Sequence, residues 1–347
     1  LGVLANYLNG IRVFSAFGGI ECGRQALLEM GVPVARYVSS EIKPHAIAIT
    51  RYRHPDVEHV GDITKVNGME YRGFDLLMGG SPCQDLSVGN SGGEGLAGLR
   101  SGLFYHFIRL LGEMRPKYFL LENVRPKKKE WGEEISRLMG VQPIIINSEL
   151  VSAQHRERWY WTNIPGITQP EDLGIRLVDI LQNDWEDKYL HAQKAVDYMD
   201  RTVEDGRTHW DFKHHSCSDD NKSKAVVKNC KLGVPYNVLV LRKDHVLFEE
   251  SKNRNGVECV GIAPESFKPK GNYLPRERIF STSGKSRAIS RHVGQYPFYK
   301  DGDVIRRFTP IEVERLQTLP DDYTKYGIYN GVVKQVPDTH RYDCVGD

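Results

Sequence analysis

The first half of this 347-residue chain alternates short, almost wholly apolar runs with amphipathic stretches. That alternation is the signature of parallel βαβ units, whose strands are buried on both faces beneath helices. Strands are expected at residues 11–14, 36–40, 74–78, 118–121 and 143–147, with a short one near 59–61. Helices are expected over 23–30, 45–52 and 101–114. The fold class is therefore α/β. After about residue 165 the texture changes: residues 183–232 are rich in Asp, Lys and His, with Trp185, Trp210 and Phe212 interleaved. Short β-branched runs follow at 238–241 and 257–262, so 166–300 reads as a second, smaller, irregular or β domain. Helical character returns over 306–317, where Thr309-Pro310-x-Glu312 resembles a capping box with proline at the first helical position. The expected organisation is a first domain of residues 1–165, a second of 166–300, and a return to the first over 301–347.

Composition narrows the function classes. No run approaches the ~18 uncharged apolar residues of a membrane span, and residues 1–10 lack the basic start of a secretory signal. Six cysteines are scattered without short paired spacings, which suits free thiols in a reducing compartment. His214, His215, Cys217, Cys230 and Cys259 lack C-x-x-C pairs, so no metal site is expected. A net charge of +2 means that any basic footprint for nucleic acid is local.

The candidate chemistry lies at strand ends. Phe17, Gly18 and Gly19 open a glycine-rich strand-to-helix turn that admits a ligand close to the backbone. Taken alone, such a turn needs no ligand. Glu41 follows the second strand, 18 residues past Gly23, where a carboxylate can take both hydroxyls of a ribose. Asp62 lies at the same sheet edge and could accept from an adenine amino group or simply cap a turn. The glycines do not follow G-x-G-x-x-G, which disfavours a dinucleotide. Next, Gly79-Gly80-Ser81-Pro82-Cys83-Gln84-Asp85-Leu86-Ser87 follows an apolar strand and puts Cys83 where α/β enzymes hold reactive groups; a buried inert thiol is the alternative. Six glycines within residues 88–102 suit a loop that closes over a substrate. Glu122, in Glu122-Asn123-Val124, ends another strand and could share a proton with a substrate nitrogen. Arg156 and Arg158, two apart on an expected strand, would share one face and could grip a base or phosphate.

The order Phe-x-Gly-x-x-x-Gly, Glu, Asp, Pro-Cys-Gln, Glu-Asn-Val, Gln-x-Arg-x-Arg and Arg-Phe-Thr-Pro-x-Glu-x-x-Arg-Leu-Gln resembles the ordered motifs of the DNA cytosine-5 methyltransferase family. The matches run from residue 11 to about 163 and from 306 to 323. The phrasing around residues 149–165 is similar to bacterial and phage members and to the catalytic domains of animal de novo enzymes. The resemblance implies a Rossmann-like S-adenosylmethionine-dependent methyltransferase sheet with a smaller target-recognition domain at 166–300. It implies that Phe17, Gly18, Gly19, Glu41, Ile42, Asp62, Pro82 and Leu103 bind S-adenosyl-L-methionine. It further implies that Cys83 is the nucleophile, that Glu122, Arg156 and Arg158 surround the target cytosine, and that Gln84 and Ser87 follow the DNA.

That chemistry suits the residue types. Cytosine C5 is a poor nucleophile until a thiolate adds at C6, nearby arginines favour the thiolate, and C6 is reachable only in a base rotated out of the duplex. The partners implied are double-stranded DNA and a restriction endonuclease, with no membrane and the chain acting as a monomer in a bacterial or phage-infected cytoplasm, or in a nucleus. Two departures stand out. Residues 342–347 look like the opening of the family's closing Gly-Asn-x-Val motif, which is expected to be truncated here, and Ala288-Ile289 stands nearest to its Thr-Leu pair. The alternatives are an RNA cytosine-5 methyltransferase of the same fold, disfavoured by Ser81-Pro82-Cys83 and the long insert, and a catalytically impaired DNA-binding homologue.

Overall fold

The computed structural model describes residues 9–82, 101–182, 184–189 and 308–346, together with the backbone of five short strands between 223 and 306. Cys83, Gln84, Ser87, the glycine-rich run after them as far as residue 100 and the 257–262 run lie outside the described residues, as do the cysteines and histidines of 214–259. By packing, the chain divides into two compact units. One comprises Leu1–Asn147, Glu157–Gln169 and Tyr326–Gln335, the other Ser148–Arg156, Pro170–Lys325 and Val336–Asp347.

The first unit is built as the alternation requires. Its elements are β1 (Ile11–Ala16), α1 (Cys22–Glu29), β2 (Val34–Ser40), α2 (Pro44–Arg53), β3 (Val57–His59), β4 (Leu76–Gly80), α3 (Phe104–Met114), β5 (Tyr118–Asn123), α4 (Lys129–Met139) and β6 (Ile144–Asn147). The second unit contributes β7 (Gln154–His155), after which β8 (Glu157–Thr162) returns to the first. Seven strands form one sheet in the order β3-β2-β1-β4-β5-β8-β6. All neighbours are parallel except β8, which runs antiparallel to β5 and to β6. The fold is thus the α/β methyltransferase-type sheet expected.

Two apolar layers cover the sheet. On one face Ile11, Val13, Tyr37, Val57 and Leu76 pack with Leu27 of α1. On the other, Phe14, Val38 and Leu77 pack against Phe104, Phe107, Leu110 and Met114 of α3. The spacing of those four α3 residues is the one-sided helical pattern read from sequence. The same helix begins with a tighter turn at Ser101–Leu103. The third strand sits two residues earlier than expected, so Asp62 lies beyond it rather than at its end.

The second unit holds α5 (Leu177–Ile180), β9 (Ser223–Lys224), β10 (Val238–Leu241), β11 (Ile279–Phe280), β12 (Tyr299–Lys300), β13 (Asp303–Arg306), α6 (Pro310–Leu316) and, past the hairpin described next, α7 (Asp338–Val345). Four of these strands form a sheet in the order β11-β10-β13-β12. Arg306, read from sequence as the start of a helix, therefore ends a strand. The helix waits for its cap: the Thr309 hydroxyl accepts from Glu312 N, Glu312 accepts from Thr309 N, and Pro310 needs no N–H there. Buried Glu314 binds Arg341 of α7 at 2.9 Å.

A hairpin of β14 (Tyr326–Tyr329) and β15 (Val332–Gln335) belongs to the first unit. It lies on α2, with the Tyr329 hydroxyl 2.7 Å from His45 Nδ1 and Gly327 close against Ala48.

Candidate active site

The strand order reverses between β1 and β4, and in such sheets ligands bind beyond the carboxyl ends of the strands at that point. The turn after β1 carries left-handed backbone at Phe17, Gly19 and Glu21, with φ of 59°, 57° and 58°. Glycine adopts this freely, whereas Phe17 and Glu21 each cost about 1 kcal/mol. A Cβ built on Gly19 would meet nothing within 4 Å, so the space above the turn is open. Phe17 packs half-buried against the α3-side core.

Glu41 directly follows β2 and is buried. Its Oε2 accepts from Gly19 N at 2.8 Å, and its Oε1 accepts from Ile42 N at 2.7 Å and Lys43 N at 2.8 Å. The carboxylate thus ties the β1 turn to the end of β2 and keeps one lone pair of Oε2 for a further donor. Ile42, beside it, is 68% exposed, an unusual apolar surface at a strand end. Asp62 Oδ1 accepts from Thr64 N and caps the turn Ile63–Lys65, and that bond holds the carboxyl below its ordinary pKa. Leu103 packs against the α3-side core ahead of α3, and Pro82 is half-buried.

Beyond β4 the geometry tightens. Gly79 pairs with Ala16, and a Cβ there would lie 2.3 Å from the Ala16 carbonyl oxygen. Only glycine lets β4 approach β1 this closely. Gly80 pairs with Glu122, and a Cβ there would lie 2.8 Å from Glu122 Oε2. Gly80 therefore makes room for the Glu122 carboxylate three residues before Cys83. Glu122 Oε1 receives Arg158 Nε at 2.8 Å from the antiparallel neighbour β8. Next to it, buried Asn123 donates through Nδ2 to Ser81 Oγ at 2.9 Å and to the Ser81 carbonyl at 3.2 Å, fixing the backbone that leads into Pro82 and Cys83.

Glu122 and Arg158 are therefore brought together, as are Gly18, Gly19 and Glu41. Arg156 is not on the strand with Arg158. It falls in the gap between β7 and β8, in the second unit, with its carbonyl accepting from Ser148 N. The break arises because Gln154–His155 pair with Ser223–Lys224 instead of with the large sheet.

Sequence reading passed over four features here. Asn123 and Gly80 stood inside quoted motifs without a role, because the partners that define them lie 42 residues away on other strands. Glu21 stood unremarked in the turn. Arg125, Lys127 and Lys128, all exposed directly after β5, were legible as a basic run. Among the described residues, no group of three or more His, Cys, Asp and Glu side chains could hold a metal, Cys22 and Cys344 are not joined in a disulfide, and no helix is long and apolar enough to cross a membrane.

Comparison with known proteins places the chain in a family. The model of the C-5 cytosine-specific DNA methylases matches residues 9–339. The orphan methyltransferase M.SPRI of Bacillus phage SPR is 24% identical over 90% of this chain and 89% of its own length. The type II methyltransferase M.NgoBV of Neisseria gonorrhoeae is 35% identical over 38% of this chain, a segment spanning 32% of that enzyme. The crystal structure of the S. pombe Dnmt2 methyltransferase superposes with a TM-score of 0.52 at 16% identity, over 97% of this chain and 93% of that one, which bears on fold alone. The chain belongs to the C-5 cytosine-specific DNA methylase family, the DNA (cytosine-5)-methyltransferases.

Proposed function

We propose that this chain methylates C5 of a flipped-out cytosine in double-stranded DNA through a covalent adduct with Cys83. The observation that carries the reading is Glu122, bound by Arg158 at 2.8 Å and seated against Gly80, which precedes Cys83 by three residues in the sequence. The Cys83 thiolate adds to C6 and makes C5 enamine-like. Glu122, with one oxygen held by Arg158, offers the other to the exocyclic amine and to a proton shared with N3, which stabilises the charge that builds on the ring. Once C5 carries the methyl group, a water molecule takes the C5 proton, the C5–H electron pair restores the C5=C6 bond, and the C6–S bond breaks to regenerate the thiolate.

S-adenosyl-L-methionine fits the other half of the site: Gly19 borders open space, Glu41 keeps a lone pair for a ribose hydroxyl, and Ile42 offers an exposed apolar side chain to an adenine face. When bound there, it supplies the methyl group as a sulfonium. Phe17, Gly18, Asp62, Pro82 and Leu103 complete this proposed pocket, while Gln84, Ser87 and Arg156 are assigned to the DNA. The basic run Arg125, Lys127 and Lys128 beside Glu122 suits phosphates flanking the flipped base. Residues 166–300 are proposed to read the target sequence. The type II relative supports a restriction endonuclease of matching specificity as a cellular partner.

DNA carrying 5-fluorocytosine tests the reading, because fluorine cannot leave as the proton does and the adduct persists. A denaturation-resistant complex is expected with the native chain and not with Cys83→Ser, which should lose methyl transfer. Turnover by the serine variant would refute it.

A further inference from the structure

The row Val13, Tyr37 and Val57 crosses β1, β2 and β3 on the α1 side of the sheet and is apolar in character. Two residues further along each strand the row becomes Ser15, Ser39 and His59, so polar groups are buried at the carboxyl ends of these strands. Into this row points Glu21, 1% exposed. Its Oε2 accepts from the Tyr37 hydroxyl at 2.7 Å, and a Cβ built on Gly18 would stand 1.7 Å from its Oε1. The carboxyl thus occupies the volume directly beneath the Gly18–Gly19 turn, and Gly18 must be glycine because Glu21 is there. Glu21 also keeps its left-handed backbone without glycine, its N–H donating to the Gly18 carbonyl at 2.9 Å. Among the described residues no cation pairs with it.

We propose that Glu21 is a positioning residue for the cofactor turn that works as the neutral acid: with its proton it stays buried and props the Gly18–Gly19 turn, and on ionising it leaves and S-adenosyl-L-methionine binding weakens. This rests on the reading that the turn holds that cofactor. The physical cause is that a lone carboxylate in this position has no counter-charge. Burial pushes the Glu21 pKa up to about 7, and the charge of Glu41 adds to the rise, while the Ser39, Tyr37 and Ser15 hydroxyls oppose it.

The other groups that face it are Tyr37, His59, Arg24 and Met78. Burial raises Tyr37 well above its ordinary range, burial lowers His59 at the end of β3, and Arg24 of α1 is bound to Asp56. The group from β4 is Met78, which is uncharged. Because the folded pKa lies above the unfolded value of 4.5, the support is complete at low pH and is lost as pH rises through about 7.

Calorimetric titration of S-adenosyl-L-methionine into the full chain between pH 6 and pH 8.5 tests this, with E21Q and E21A in parallel. If binding requires the neutral acid, the wild-type dissociation constant should rise roughly thirtyfold over that range. E21Q, a neutral isostere, should bind about as the wild type does at pH 6 and should lack this rise. The ligand's own amino group titrates nearby but cancels in the ratio of wild type to E21Q. E21A should be weaker at every pH. A ratio that stays constant with pH, or a wild-type affinity that climbs with pH, overturns the proposal. Absence of binding by the wild type at any pH would instead sink the reading of the turn as a cofactor site, and the proposal with it. Should E21Q fail to fold, the ratio of wild type to E21A, which also lacks the titrating carboxyl, carries the pH test.

Discussion

Replacing Glu41 with alanine removes one carboxylate and leaves three backbone N–H groups, those of Gly19, Ile42 and Lys43, without their acceptor. The losses are unequal. Ile42 is exposed, and Lys43 is half-buried beside it, so water can serve these two donors. Gly19 N sits under the turn and bonds a buried oxygen, so its loss carries most of the cost. Hydrogen bonds to charged groups contribute about 1.5–3 kcal/mol each, and an orphaned donor costs about 1–3 kcal/mol. The variant without cofactor should therefore lose about 2–4 kcal/mol and melt roughly 3–6 °C lower. Ribose binding should lose a further 1.5–3 kcal/mol or so, a weakening of about tenfold to over a hundredfold in dissociation constant. Glu41→Gln is not conservative here, since its amide nitrogen cannot accept and one side of the tie is lost. Thermal melts without cofactor and calorimetry with it separate the two effects. An unchanged melt for E41A would refute the claim that this carboxylate fastens the turn to β2, whatever happened to affinity.

Two further outcomes follow from the geometry. Gly80→Ala should lower the methylation rate at least about tenfold, because the new Cβ 2.8 Å from Glu122 Oε2 must displace that carboxylate; cofactor affinity, measured by calorimetry, should change far less, and an unaltered rate would remove Glu122 from the chemistry. Changing Arg125, Lys127 and Lys128 together to alanine should flatten the dependence of log DNA affinity on log salt by up to about 2.7, at roughly 0.9 per phosphate contact. Lys129 is left in place because it is paired with Glu133, and a slope equal to the native one would mean that the run faces solvent only.

Much of the site was legible because its motifs are local. A glycine-rich turn, an acidic residue after β2 and a Ser-Pro-Cys run after β4 each fit within a few residues, and a strand end is marked where an apolar run stops. What could not be read is the partner of each group. Arg158 meets Glu122 because β8 lies antiparallel to β5, whereas the i, i+2 spacing with Arg156 suggested one shared strand that the structure interrupts at residue 156. Asn123 acquires its task from Ser81, and Gly80 from Glu122, only through the pairing of β4 with β5.

The sequence by itself determined the α/β class, the positions of most strands and helices, and the capped start of α6, since apolar periodicity, proline placement and a capping box act within one or two helical turns. Tertiary structure alone decided that β8 inserts antiparallel between β5 and β6, that 303–306 is a strand, and that the hairpin Tyr326–Tyr329 and Val332–Gln335 joins the first unit on α2. It also decided that the Glu21 side chain turns inward beneath Gly18. A charged residue in a tight turn ordinarily faces water; here Tyr37, delivered by a neighbouring strand 16 residues on, supplies a buried donor that makes the inward position possible.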